Sequence, residues 1–548
     1  MGCGAAAVLA ALLAANTTFA AQGKPGTGGT VNVLTFHNDV SRSGANTAET
    51  TLTPSNVNAN SFGKLWTFTA DGTVDSQPLY VSGLNMGAQG THDVLFIATE
   101  NDTVYAVDAE AGTILWKKSL LLSGETPSDN RGCTQISPVM GITATPVINL
   151  ISPSAGGVIL VVAMSKDSSG NYHQRLHSLG LSAGVEQSGS PAEIQGTYPS
   201  KGPQSSSGVI TFGPGTYKAR PALLLVDNTV YIGFASNCDT PPYSGWIFAY
   251  NITNMTQTGI LNVTPSGEDG ALWGSGGGPA ADSNGNVYMM VGNGTFDTTL
   301  SSGFPVYADY GNSFLRLAWT GGKFQVADYF ASFDAGDGPT DERVELGSSS
   351  PVLLPPMTDG NGQTHNLAVG AGKLGTIFVV DTANMGKYVA TASNANVYQH
   401  VVGSLGPGGD GNDALGAVRT SPVFFNNVIY FGANLDPIEA FRFQNATMST
   451  LPVTATNSIF NYPGAVMSVS ANGTNNGILW VASPGSPSTG GGLIAYPAND
   501  LTTVLYSSNQ ATGGRDQFTY NKFAPPTVVN GMVYVTSGSG VVAFGLLP

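Results

Sequence analysis

An all-β fold, an eight-bladed β-propeller of four-stranded antiparallel blades, follows from three features of this 548-residue sequence. Charged residues make up only 10% of it while glycine reaches 72, a composition that suits strands and turns and starves amphipathic helices of a polar face. A unit of proline, apolar strand, short gap and second apolar run recurs along the chain, as in "RPALLLVDNTVYIGF", "SPVFFNNVIYFGAN" and "PPTVVNGMVYVTSGSG". Each copy leads into a third strand like "VYAVD", for example "WIFAYN", "TIFVVD" or "VVAFG".

The units fall at 75–118, 142–190, 218–263, 277–330, 348–391, 418–454, 464–506 and 524–547. The last has three strands, and "FGKLWTF" at 62–68 is a spare strand ahead of the first. Pairing the two closes the ring and removes an exposed edge. The chain therefore divides into a signal peptide at 1–20, a leader and entry segment at 21–61, and one propeller domain at 62–548.

The signal peptide is read from the apolar run Ala5 to Ala15, too short to span a bilayer, and the small residues around Ala20 that suit cleavage. Secretion or a periplasmic location follows from it. No later stretch reads as a transmembrane helix. Removal of the signal leaves Cys133 and Cys238, and both fall in loops of one propeller face, so the blade assignment predicts a disulfide between them. A net charge of -15 with no Lys/Arg run excludes nucleic acid as a partner.

In the first unit, "VYAVDAEAGTILW", Asp108 is expected to cap the turn between third and fourth strands. Gly112 supplies a positive φ, and Trp116 reaches toward a neighbouring blade. Because strand direction alternates within a blade, loops after second and fourth strands share one face. The long insertions, among them 119–141, 236–245, 264–276, 331–347 and 392–420, all lie there, so a functional site is expected on that face near the axis.

"AVDAEAGTILW" resembles the tryptophan-docking repeat of quinoprotein dehydrogenases, propeller enzymes that bind pyrroloquinoline quinone, with Ala111 where that repeat has Thr. "FHNDVSRSGANTAETTLTPSNVNANSFGKLWTF" is similar to their N-terminal entry segment. Such repeats also occur in non-catalytic propellers such as outer-membrane assembly factors, so the resemblance speaks to fold first.

The resemblance implies a set of site residues. Asp239 in "ASNCDTPPYSG" falls within one position of a metal-binding Glu, and Asn293 in "VGNGT" matches a metal-binding amide. Trp273 matches the indole under the quinone, Glu345 the catalytic carboxylate, and Lys373 and Arg131 the cationic contacts to the cofactor. Asp239 replaces Glu and Glu345 replaces Asp, changes of one methylene each. Gly347 lacks the additional carboxylate of rare-earth-using relatives, which makes calcium the implied ion. Each residue also has a structural reading: Trp273 covers core, Asn293 and Asp239 form turns, and Glu345 and Lys373 are solvated loop charges.

Two functions remain open at this point. One is a quinoprotein-type dehydrogenase that oxidises an alcohol or sugar with pyrroloquinoline quinone and calcium. Lacking a C-x-x-C-H haem site, it would pass electrons to a separate acceptor. The alternative is a non-catalytic propeller that binds a protein or polysaccharide partner through the long-loop face.

Overall fold

The computed structural model describes residues 31–336, 345–391, 393–409, 414–486 and 489–548. The expected signal peptide lies outside them. Eight small antiparallel sheets form the propeller, and α-helix is absent among the described residues. In blade 1 the strands are Leu79–Asn85, Thr91–Thr99, Thr103–Asp108 and Ile114–Ser119, hydrogen-bonded in that order from the axis outward. The innermost strands of blades 2 to 8 begin at Val147, Leu224, Ala280, Val352, Val423, Val466 and Thr527. Blade 8 takes its outer strand from the front of the chain: Phe62–Thr69 pairs antiparallel with Gly540–Leu546, Phe62 opposite Leu546.

Apolar alternation explains the packing. Runs such as "VLFIAT" turn successive side chains to opposite faces, and each face meets the next blade. Between blades 7 and 8, Phe62 is fully buried with ring centroids 5.3 Å from Trp480 and 4.9 Å from Tyr506. Aromatic pairs of this kind contribute about 0.5–1.5 kcal/mol each beyond their buried area.

Asp108, Gly112 and Trp116 join neighbouring blades. Asp108 Oδ1 accepts hydrogen bonds from the Glu110 and Ala111 amides, and Gly112 takes a φ of +69°. A Cβ at Gly112 would come 2.9 Å from Trp66, so the Trp66 ring lies directly on this turn. Trp116 repeats the relation one blade on. Its ring covers Gly184, also at positive φ, and its Nε1 donates to the Leu181 carbonyl at 2.8 Å.

The entry segment is part of the propeller. It crosses the axis and bonds to the innermost strand of one blade after another. Val33 pairs with Tyr80 of blade 1, and the Leu34 carbonyl accepts from Ile148 of blade 2. The carbonyls of Val40, Ser41, Ser43 and Gly44 accept from Ala281, Leu353, Phe424 and Val469 of blades 4 to 7. Side chains reach the remaining two. Arg42 Nη2 donates to the Leu223 carbonyl at blade 3, and Asn46 Nδ2 donates to the Val528 carbonyl of blade 8. Phe36 and His37, stacked 4.3 Å apart and buried, fill the centre.

Candidate functional site

A cavity of about 100 Å³ lies on the axis above this segment. Its depth is fixed by register, because the lining residue precedes the segment-bonded residue on each contributing blade. Asp75 precedes Tyr80, Arg220 precedes Leu223, Ser348 precedes Leu353, and Arg419 precedes Phe424. The cavity therefore sits at the long-loop end of the ring.

Four of the residues expected from the sequence line it: Asp239, Trp273, Glu345 and Lys373. Glu345 and Lys373 form an ion pair, Nζ to Oε2 at 2.6 Å, and both side chains are largely buried rather than solvated. Glycines allow the two loops to approach. A Cβ at Gly372 would lie 2.4 Å from the Glu345 carbonyl oxygen, and one at Gly347 would lie 2.4 Å from the Gly292 nitrogen. Gly347 thus occupies a position where no side chain fits. Gly292 brings Glu345 and Trp273 together, since its Cβ would stand 3.1 Å from Glu345 Oε1 and 3.1 Å from Trp273 Cδ1.

Asp239 is carried on a tight turn where both it and Cys238 have positive φ. The Cys133–Cys238 disulfide, with Cα atoms 5.6 Å apart, ties this turn to the loop after blade 1. Asp239 Oδ1 accepts from the hydroxyls of Tyr243 at 2.9 Å and Ser236 at 3.3 Å.

Two expected residues are elsewhere. Arg131 is on the exposed rim, its Nε donating to the Gly215 carbonyl and its Nη1 to the Tyr172 hydroxyl, with the guanidinium 4.4 Å from the Tyr172 ring. It is held there by local partners outside the cavity. Asn293 is buried beside Gly292, its carbonyl accepting from the Gly270 amide, and it does not line the cavity.

The remaining lining residues were not singled out from sequence, although a register marks them. Seven blades carry a proline just ahead of the innermost strand, and three positions before it stand Asp75, Thr143, Lys218, Gly276, Ser348, Arg419 and Phe523. Five of these line the cavity. Lys218 Nζ donates to Gln135 Oε1 at 3.1 Å and lies 5.3 Å from the centroid of the Trp273 ring. Burial pulls its pKa down to about 7. Asp75 accepts from Asn521 Nδ2 at 3.0 Å, while behind it Glu100 Oε2 accepts from the Gly141 amide and the Thr143 hydroxyl. Burial, reinforced by the charge of Asp75, pushes the Glu100 carboxyl well above the usual range.

The donor set does not suit a divalent cation, contrary to the calcium the resemblance implied. Calcium takes six to eight oxygens, several of them carboxylate. Among the described residues no three of His, Cys, Asp and Glu gather closely enough to hold a metal, and Glu345 already receives an ammonium. A flat acidic molecule fits better, because aromatic rings and five cationic side chains face the space.

A family model described as outer membrane protein assembly factor BamB matches residues 53–131. Quinohemoprotein alcohol dehydrogenase from Comamonas testosteroni is similar in structure, with a TM-score of 0.55 over 94% of this chain and 80% of that one. The chain has the β-propeller fold of these proteins. Quinohemoprotein alcohol dehydrogenase ADHIIG from Pseudomonas putida HK5 gives a TM-score of 0.59 over the same shares, and each is 14% identical to this propeller. At that identity the likeness fixes the fold. No curated protein sequence matches this propeller.

Proposed function

We propose that this propeller is an exported quinone-binding oxidoreductase that acts on an alcohol or sugar in its axial cavity. The observation that carries the reading is the convergence of Asp239, Trp273, Glu345 and Lys373, drawn from loops of three blades, on one cavity at the propeller axis. Pyrroloquinoline quinone, when bound, would supply a two-electron acceptor.

The chain's own groups would do the rest. Trp273 would lie against the ring, and Lys218 and Lys373 would meet the acidic edge of the cofactor. Glu345 would take the hydroxyl proton of the substrate, with Lys373 holding the carboxylate in place. The cavity's walls would exclude bulk water, and electrons would leave to a separate acceptor. The Cys133–Cys238 disulfide supports an oxidising compartment. Among the described residues no helix is long and apolar enough to cross a membrane.

Purified protein titrated with pyrroloquinoline quinone, followed by tryptophan fluorescence and by dye reduction with a panel of alcohols and sugars, tests this. Micromolar binding with turnover is expected. Binding without turnover on any substrate would remove the enzyme reading. Absence of binding would favour the partner-binding function that the assembly-factor family model suggests, with a protein or polysaccharide on the long-loop face.

A further inference from the structure

We propose that the axial cavity takes up a flat polyanion without a divalent cation, Arg220 and Lys522 supplying the positive charge that a metal would bring. The inference rests on the small-molecule reading above and names the chemistry of the ligand.

The first observation is the charge of the cavity against that of the chain. The protein carries -15 overall and has only 20 Lys and Arg residues, yet five of them, Lys218, Arg220, Lys373, Arg419 and Lys522, line this one space. Three carboxylates face them: Asp75, Asp239 and Glu345. Of these, Glu345 is consumed by Lys373.

The second is Arg220. Its residue exposure is 6%, it lines the cavity, and its Nη1 is buried without a hydrogen-bond partner. No carboxylate among the described residues pairs with it, and the contact it makes is with the Phe523 ring, 4.7 Å from the guanidinium carbon. Asp75 and Glu100 act on it electrostatically, but neither carboxylate forms an ion pair with it. A buried guanidinium left without a hydrogen-bonded partner is unfavourable, and the fork geometry of its donors matches a carboxylate. Lys522 stands beside it, 5.5 Å from the same ring and 6.0 Å from the Tyr462 ring. Lys218 has a neutral partner, Gln135.

The third is shape and order of charge. Trp273, Tyr462 and Phe523 give the cavity flat walls, which an aromatic acid would meet face-on. A divalent cation entering beside Glu345 would encounter an ammonium 2.6 Å from the carboxylate oxygen and a surplus of fixed positive charge around it. An anion encounters the opposite.

The test is calorimetric titration in EDTA and again in calcium, with three probes. These are pyrroloquinoline quinone, its trimethyl ester, and benzene-1,3,5-tricarboxylate, a flat triacid without a quinone. Both acids are expected to bind in EDTA with affinity changed less than about twofold by calcium, and the ester is expected not to bind. Arg220→Gln should weaken both acids about thirtyfold or more, and Lys522→Gln should weaken them by less. The ligand-free thermal midpoint of Arg220→Gln should equal or exceed that of the unaltered protein, because a buried unpaired charge is removed. Binding that needs calcium, equal binding of the ester, or unchanged affinity in Arg220→Gln would each overturn the proposal and leave the quinone reading standing. If the triacid binds and pyrroloquinoline quinone does not, the quinone reading falls and the anion site stands. If neither acid binds in EDTA, the anion site is wrong.

Discussion

Lys373 and Glu345, 28 residues apart in sequence and carried by separate loops of the fifth blade, meet with Nζ 2.6 Å from Oε2 in a largely buried pair. Their backbones meet as well, the Lys373 amide donating to the Glu345 carbonyl. Removing one partner of such a pair strands the other. Glu345→Gln and Lys373→Met should each cost about 3–5 kcal/mol in denaturant unfolding, and the double variant should cost clearly less than their sum. Additive losses would show that the two charges do not depend on each other. With bound quinone, Glu345→Gln should also abolish dye reduction while binding persists.

The disulfide makes a separate prediction about stability. Cys133 and Cys238 are 105 residues apart and close a loop spanning blade 2 and the first two strands of blade 3. Serine at both positions should lower unfolding free energy by about 2–4 kcal/mol. It should also loosen the turn that presents Asp239, which hydrogen exchange at residues 236 to 243 would report.

Arg42 is fully buried and donates to the carbonyls of Phe36, Leu223 and Pro279 and to the Thr35 hydroxyl. Arg42→Ala leaves those acceptors shut away from water, each at a cost of about 1–3 kcal/mol where no water replaces the donor. A loss of about 3 kcal/mol or more in denaturant unfolding is expected. A variant within 0.5 kcal/mol of the unaltered protein, roughly the range of neutral surface changes, would mean that the guanidinium is dispensable.

Lys218 sets a pH dependence. The groups around its Nζ are Gln135, the Trp273 ring, Arg220, Asp239, Glu100 and Lys522. Burial comes first among the causes that bring its pKa from 10.5 to about 7, so between those values the unfolded chain holds the proton more fully than the folded protein does. Its contribution to stability therefore rises as pH climbs from about 7 toward 10.5. A bound anion favours the ammonium, so above pH 7 binding should take up a proton and affinity should fall as pH increases. Titrations in buffers of different ionisation enthalpy measure that uptake, and Lys218→Met should remove it.

The blades were legible because their signal is local. "AVDAEAGTILW" holds the cap, the positive-φ glycine and the docking indole within a few residues, and Trp116 reaches blade 2 as its position suggested. Trp66 plays the same part in "FGKLW", packing on the glycine of the next blade as Trp116 does, but no Asp-to-Gly turn precedes it in sequence to mark it. Asp239, Trp273, Glu345 and Lys373 were found through resemblance to a family in which each has neighbours of its own. Arg131 has neighbours too, yet its guanidinium is claimed by Tyr172 and Gly215. The cationic lining escaped notice because Lys218 and Arg419 look unrelated until the prolines that follow them are aligned, and Lys522 is one residue off that register. Arg42 could not have been read at all, since two of its acceptors are 181 and 237 residues away.

The segment that passes from blade to blade beneath the cavity also governs traffic. Phe36 and His37, stacked and buried, belong to that segment. A molecule bound against the segment, with a second one between it and the long-loop face, would arrive first and depart last. A substrate resting over a flat acidic ligand would hold that ligand in place until the substrate itself leaves, so exchange of the inner molecule should slow as the outer one approaches saturation.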